Sequence, residues 1–202
     1  FWEARGGARG GHGVERRQRK VCISDRSAGV SGDRDGLTLF LVDKLAPGLT
    51  VTRTTMVDSR NAAKVGLDGV AAEVVLGEVG RGADILDRVL DRATAVLCAE
   101  MVGLMTEAFE QTLEYLKTRE QFGVKIGTFQ SLKHRAAVMF AELELSRSIV
   151  RETMSAIDDD GPDAPTLVSV ATARCSDAAS RIPRDMLHTH GGSGTTAQAR
   201  SA

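Results

Sequence analysis

At 202 residues, 42% of them hydrophobic and 26% charged, the chain can form one substantial core or two small ones, and its composition is that of a soluble globular protein. This balance excludes a wholly disordered chain, and a formal net charge of -1 gives no long-range attraction for nucleic acid or an anionic membrane. Three widely spaced cysteines without a CxxC pair, Cys22, Cys98 and Cys175, indicate free thiols in a reducing cytoplasm. No apolar run approaches a membrane span, so we expect a cytoplasmic protein without a membrane partner.

The first segment, residues 1–35, is rich in Gly and Arg and has few apolar residues and no period. It cannot bury enough surface to offset the entropy of ordering, so we expect it to be disordered. Its arginines could neutralise phosphates, which leaves a nucleic-acid-binding or structural helical module as one alternative. A solvated end is favoured, because no aromatic residues are interleaved beyond Phe1 and Trp2.

Residues 36–78 contain short β-branched and leucine-rich runs separated by turn residues such as Pro47 and Gly48. Leu37, Leu39 and Leu41 alternate with residues that are mostly apolar as well, which is typical of a strand covered on both faces. The runs are too few for a closed barrel. The pattern therefore predicts a partial antiparallel β region.

From residue 79 the apolar residues recur at steps of three and four, which predicts a mainly antiparallel bundle of three long helices over residues 79–196. The first stripe ends near Arg119 and consists of Leu86, Leu90, Ala93, Leu97, Met101, Leu104, Ala108, Thr112 and Leu116. The second consists of Leu132, Ala136, Met139, Leu143, Ser146, Val150, Thr153 and Ile157. The third consists of Leu167, Ala171, Cys175, Ala178 and Ile182, and we expect its helix to end where Pro183 interferes. Three such helices usually recruit a fourth, so we expect another chain to complete the bundle, or a truncated bundle, with residues 197–202 a disordered tail.

The loop between the first two helices reads REQFGVKIGTFQ, from Arg119 to Gln130. Arg119 offers a planar fork suited to phosphate, Phe122 offers a flat face to an aromatic ring, and Gln130 offers an amide. Gly123 and Gly127 would let the backbone approach a ligand or another chain closely. These groups suit a dinucleotide, although Arg119 could instead satisfy helix carbonyls and Phe122 could cap the core.

Two motifs carry a resemblance to a known family. The chain reads YLKTREQFGVKIGTFQSLKHRAAVMFAELELSRS over residues 115–148 and HGGSGTT over residues 190–196. Both resemble signature stretches of the acyl-CoA dehydrogenase family, and residues 36–82 are similar to the end of that family's middle β domain. The resemblance covers about residues 36–196.

This resemblance implies an FAD-dependent flavoprotein that oxidises an acyl-CoA thioester to its enoyl form and passes electrons to an electron-transferring flavoprotein. It also implies a homo- or hetero-oligomer in which the loop contacts the FAD of a neighbouring subunit. Asp91 would contact the pantetheine arm of the substrate. The implied FAD-binding residues are Arg119, Gln121, Phe122, Gln130, Gly191 and Gly192.

Several positions depart from the family pattern. His188 stands where the family usually has Gln, and Thr94 stands where an Arg often follows Asp91. Ala93 occupies the position of the catalytic glutamate of one branch and cannot take a proton, so no catalytic residue is assigned. Residues before Asp35 do not resemble the family. We therefore expect a fragment that is inactive alone; the alternative is a non-catalytic partner subunit of a heteromeric dehydrogenase.

Overall fold

The computed structural model describes residues 20–26, 36–57, 61–72 and 74–191. The α+β class predicted from the sequence is confirmed, and the chain divides into two compact units, Phe1–Asp87 and Arg88–Ala202. In chain order the elements are β1 (Lys20–Arg26), β2 (Leu37–Asp43), β3 (Leu49–Thr55), β4 (Asn61–Leu67), β5 (Val74–Leu76), α1 (Gly82–Thr118), β6 (Glu120–Gln121), β7 (Val124–Lys125), a 3-10 turn (Ile126–Thr128), α2 (Gln130–Asp158) and α3 (Ala164–His190).

The first unit contains a three-stranded antiparallel sheet in the order β1-β2-β5 and a separate β3-β4 hairpin. Thr38, Leu39 and Val42 of β2 are buried. The expectation of disorder over residues 1–35 is wrong for Lys20–Arg26, because the backbone of β1 pairs with β2 along its whole length. The rest of that segment, with the arginines on which the nucleic-acid alternative depends, lies outside the described residues, as does the tail at 197–202.

The second unit is a helical bundle whose core lies between α1, α2 and α3. The predicted stripe of α2 is confirmed at its centre, where Ala136, Met139, Leu143, Ser146, Val150 and Thr153 are buried. The hydroxyls among the buried residues are satisfied inside their own helices: Thr112, Ser146 and Thr153 each donate to the carbonyl four residues back at 2.8 Å. The core therefore contains polar side chains without unpaired hydroxyls at these three positions.

The predicted stripe of α1 is only half right. Thr112 and Leu116 are buried, but Leu97 and Leu104 are 42% and 56% exposed, and Cys98 and Met105 are buried in their place. This helix is apolar on more than one face, so periodicity alone could not decide which face packs against α2 and α3.

Helix α3 does not end at Pro183 as expected but continues to His190. A proline removes one hydrogen bond from the helical ladder. Ile182 and Met186, which lie on either side of it, are 0% and 2% exposed, so tertiary packing holds the helix through the proline. Among the residues that the structure describes, no helix is long and apolar enough to cross a membrane.

Candidate functional site

The loop predicted to bind a ligand forms a short β-hairpin with a two-residue turn at the end of α1. β6 and β7 pair through Glu120 with Lys125, and Phe122 and Gly123 form the turn between them. Both turn residues have positive φ, 57° and 77°, which is the signature of a type I′ hairpin turn. The hairpin is closed at its base by the amide of Ile126, which donates to the carbonyl of Arg119 at 2.9 Å.

Gly127 fixes the hairpin against its own helix. A Cβ added at this glycine would lie 2.7 Å from the backbone oxygen of Leu116 and 3.2 Å from its carbonyl carbon. Backbone atoms cannot move aside cheaply, so only glycine fits here. The prediction that Gly127 serves approach to a ligand or another chain is therefore corrected: it serves contact within the chain. Gly123, by contrast, has open space around it and is required for its positive φ.

Phe122 is the most unusual residue of the hairpin. Its side chain is 93% exposed, and its φ of 57° lies in the left-handed region, which costs an ordinary residue roughly 1–2 kcal/mol. Its one ring contact among the described residues is with Phe129, edge to face with centroids 6.3 Å apart. A large apolar side chain held in a strained conformation without burial points to a function outside the chain's own core.

A cleft of about 530 Å3 lies beside the hairpin. This volume is within the usual range for small-molecule sites. The cleft, called here the hairpin cleft, is lined by Tyr115, Arg119, Gln121, Phe122, Ile126, Phe129, Leu132, Thr189, His190 and Gly191.

One wall of the hairpin cleft is held by an aromatic stack. The rings of Tyr115 on α1 and His190 on α3 lie 4.3 Å apart with an interplanar angle of 27°. The Nδ1 atom of His190 is 2.9 Å from the carbonyl oxygen of Met186, one turn earlier. The stack joins the end of α1, where the hairpin begins, to the end of α3, where Gly191 follows.

The structure brings together four of the seven predicted site residues: Arg119, Gln121, Phe122 and Gly191 line the hairpin cleft. Gln130 is exposed at the first turn of α2 and does not line it. Gly192 lies outside the described residues.

Asp91 belongs to a different cleft, of about 400 Å3, at the other end of the bundle. There Arg88 donates to both carboxylate oxygens of Asp160, at 2.9 and 3.0 Å, which ties α1 to the turn between α2 and α3. Other lining residues include Arg92 and Ile157. The residue predicted to contact substrate and the residues predicted to contact the cofactor therefore lie in two separate clefts of the bundle.

Sequence reasoning assigned no role to several residues that line the hairpin cleft. Tyr115, Phe129 and His190 lie within the two motifs, but the sequence alone gave no function to their rings. An aromatic residue in the last turn of α1, followed by a second motif that begins with histidine, is the signal that could have suggested the stack. The described residues contain no group of His, Cys, Asp and Glu that could hold a metal ion.

Comparison with known proteins decides the family. The family model of the acyl-CoA dehydrogenase C-terminal domain matches residues 80–202. The chain belongs to the acyl-CoA dehydrogenase family. The resemblance seen in the sequence motifs is thus confirmed.

Individual relatives agree. Acyl-CoA dehydrogenase IpdE2 of Mycobacterium tuberculosis (strain ATCC 25618 / H37Rv) is 37% identical over 106 residues, which are 52% of this chain and 31% of that protein. Among solved structures, the Tcur3481-Tcur3483 steroid ACAD is 32% identical with a TM-score of 0.70, covering 89% of this chain and 46% of that one. PigA with FAD and proline is 26% identical with a TM-score of 0.79, covering 88% of this chain and 47% of that one. The chain thus spans less than half the length of each of these proteins.

Proposed function

We propose that the chain supplies the helical bundle and part of the cofactor site of an FAD-dependent acyl-CoA dehydrogenase. The observation that carries the proposal is the exposure of the Phe122 ring. This ring stands on a strained turn beside a cleft that is also lined by Arg119. Family membership sets the chemistry, and the hairpin supplies the local groups. The structure of PigA, a relative with 26% identity, contains FAD.

The groups of the hairpin cleft suit a dinucleotide. Arg119 is exposed beside the cleft and can donate to phosphate oxygens through its fork. Phe122 offers a ring face for stacking, while the amide nitrogen of Gln121 donates to the carbonyl of Glu120 at 2.7 Å, which leaves its oxygen as an acceptor. Gly191, with φ of 57° and open space where a Cβ would stand, lets a ligand approach the backbone. The family resemblance adds Gly192 and Gln130 to the proposed FAD contacts.

When bound at the hairpin cleft, FAD would supply a hydride acceptor for the β-carbon of the acyl thioester. Asp91, in its separate cleft with Arg88 and Arg92, holds the pantetheine arm of the substrate. Ala93, at the position where one branch of the family has its catalytic glutamate, cannot accept the α-proton, so the proposal assigns no base to this chain. The partner that the family resemblance implies as electron acceptor is an electron-transferring flavoprotein.

The cofactor served by this hairpin belongs to a neighbouring subunit. A ring that is 93% exposed has almost no partner in its own chain, and an exposed apolar face on α1 offers surface for association. The working protein is accordingly an oligomer, and we place it in the cytoplasm. We expect the 202-residue chain to purify without stoichiometric flavin when it is produced alone.

A titration with FAD, followed by flavin fluorescence anisotropy at low salt, tests the proposal. Arg119→Gln should weaken binding about 10- to 100-fold, because it removes a charge-assisted contact worth about 1.5–3 kcal/mol. Lys133→Gln, which removes an exposed positive charge from α2 outside the cleft, should change affinity much less. Equal effects from the two variants would mean that Arg119 acts only through net charge, and the proposed site would be wrong. A yellow preparation with stoichiometric flavin would contradict the sharing of the cofactor between subunits.

A second candidate is a non-catalytic subunit that lends its hairpin to an active partner chain. Ala93 favours it, and one solved relative, at 32% identity, is named for two proteins, Tcur3481 and Tcur3483. Co-purification with a second acyl-CoA dehydrogenase chain that carries FAD and its own base would support this candidate. Dehydrogenase activity from copies of this chain alone would exclude it.

A further inference from the structure

We propose that Cys98 and Cys175 are a redox pair whose oxidation joins α1 to α3 through a disulfide bond. The pair lies in the bundle core, and the proposed function uses neither thiol, so the inference is independent of the proposed cofactor site. Both thiols are free in the structure, which therefore describes the reduced form of the pair.

The two side chains lie together in the core, although they come from distant parts of the chain. Cys98 on α1 and Cys175 on α3 are each 0% exposed and belong to one cluster of buried residues, with Val150 and Ala171. The Sγ atom of Cys98 is 3.8 Å from the hydroxyl oxygen of Thr172. Thr172 and Cys175 are three positions apart on a helix and are neighbours on its surface. The Cys98 thiol therefore faces the turn of α3 that carries Cys175.

The two thiols also contact each other. The charge of Cys98 and a hydrogen bond with its thiol both help to raise the pKa of Cys175, after burial, which is the largest cause. A hydrogen bond between two thiols forms only at short range, so no side chain separates the two sulfur atoms. Small neighbours favour the close helix packing that a disulfide needs, and Ala95 on α1 and Ala171 on α3 are both buried beside the pair.

Burial keeps the reduced pair unreactive while the bundle is closed. The pKa of Cys175 is raised to about 11, so very little thiolate is present at neutral pH. Only the thiolate attacks a disulfide, and the attacking partner must also reach it. Oxidation therefore takes place when the bundle opens or while the chain folds, and the closed core then protects whichever state has formed.

The oxidant that the pair requires is a small disulfide such as oxidised glutathione. One cysteine thiolate attacks a sulfur of oxidised glutathione and releases one glutathione. The second cysteine thiolate attacks the protein sulfur of the mixed disulfide and releases the other glutathione. Two electrons and two protons pass from the cysteine pair to the oxidant, which leaves as two thiols.

A disulfide at this position would restrict a large part of the unfolded chain. The segment between Cys98 and Cys175 includes most of α1, the hairpin and all of α2. A disulfide stabilises mainly by restricting the unfolded state, and it does so more strongly for a long loop. We expect oxidation to raise Tm by about 5–15 °C for a chain of this size.

A purely structural role is the competing explanation, because buried cysteines can serve simply as small apolar residues of a core. That role requires no bond between the two sulfur atoms. It predicts that both thiols stay free under oxidising conditions, or that a bond forced between them strains the bundle and lowers Tm.

The experiment uses the full 202-residue chain, unfolded in urea and refolded at pH 8 in an excess of either oxidised or reduced glutathione. Trypsin digestion and mass spectrometry should find residues 93–117 joined to residues 175–181 in the oxidised sample only. Thermal unfolding followed by circular dichroism should give a Tm about 5–15 °C higher in that sample.

Three cysteine variants identify the source of the rise in Tm. Cys98→Ala and Cys175→Ala should each abolish the difference between the oxidised and reduced samples. Cys22→Ala is the matched control, because it removes the remaining cysteine and keeps both thiols of the pair, so the difference should persist. Comparing the two redox conditions within each variant removes any change in stability caused by the substitution itself.

Several results would overturn the inference. One is a refolded oxidised sample in which both thiols are free or carry only glutathione. Another is the joined peptide with a Tm equal to or below that of the reduced chain. A rise in Tm that persists in Cys98→Ala, or that disappears in Cys22→Ala, would assign the effect to other thiols. None of these results bears on FAD binding at the hairpin cleft.

Discussion

Replacing Phe122 with asparagine should make the isolated chain more stable while weakening its proposed function. Phe122 has φ of 57° and Gly123 follows with φ of 77°, and Asn-Gly is the preferred sequence for such a turn. Asparagine tolerates the left-handed conformation that costs other residues roughly 1–2 kcal/mol. The ring is 93% exposed, so its removal loses little burial.

The expected change in unfolding free energy is the relief of backbone strain less the small loss of ring contacts. The edge contact with Phe129 is at most worth about 0.5 kcal/mol in so exposed a position. The net gain is then about 0.5–1.5 kcal/mol, or a rise in Tm of a few degrees for a chain of this size. Thermal unfolding followed by circular dichroism measures it, and FAD affinity should fall in the same variant.

Phe122→Leu separates the ring from the backbone. It removes the ring but keeps an L side chain at positive φ, so its unfolding free energy should match that of the wild type within about 0.5 kcal/mol. If Phe122→Asn instead unfolds at a lower temperature than wild type, the ring stabilises its own chain. A role for the ring in contacting a partner would then be refuted.

Three further predictions follow from single contacts. Gly127→Ala should lower the unfolding free energy by about 1–3 kcal/mol, because its Cβ would meet the Leu116 carbonyl. Gly103→Ala is the control and should not destabilise α1, because nothing lies within 4 Å of its Cβ position. Equal denaturation midpoints for the two variants would contradict this. Leu104→Glu should leave the unfolding free energy within about 0.5 kcal/mol of wild type but reduce self-association in sedimentation, because Leu104 is 56% exposed; a monodisperse wild-type monomer would count against it. Burial, and next the neighbouring Cys98, raises the pKa of the Cys175 thiol from 9.0 to about 11. The stabilisation from keeping that thiol neutral is complete below pH 9 and is lost as pH rises through about 11, so unfolding midpoints should fall over that range in wild type and less in Cys175→Ala; parallel pH profiles would contradict this.

The sequence predicted the bundle because helical periodicity is a local property. The stripe of α2 keeps steps of three and four over its whole length, so six of its eight residues are buried as predicted, although Val138, Phe140 and Leu145 are exposed on other faces of the helix. On α1 both Leu97 and Cys98 could face a core, and only the positions of α2 and α3 choose between them. Proline in α3 is a case in which packing overrides a local preference, since Ile182 and Met186 are buried on either side of Pro183.

The site was harder to predict because its parts come from distant positions in the chain. Arg119, Gln121 and Phe122 share one loop and could be grouped from the sequence, and Gly191 joined them through a motif. The contact of Tyr115 with His190 spans α1 and α3 and depends on how those helices end together. The strain at Phe122 was also invisible, because Phe-Gly is not a usual hairpin turn sequence.

The central claim, that the hairpin cleft binds a flavin nucleotide, is tested most directly by mapping backbone amide NMR shifts of the chain during a titration with FAD. The account predicts that the largest changes fall on Arg119, Gln121, Phe122 and Gly191, which line this cleft. Changes confined to the cleft of Arg88, Asp91 and Asp160, or no changes up to millimolar FAD, would contradict it.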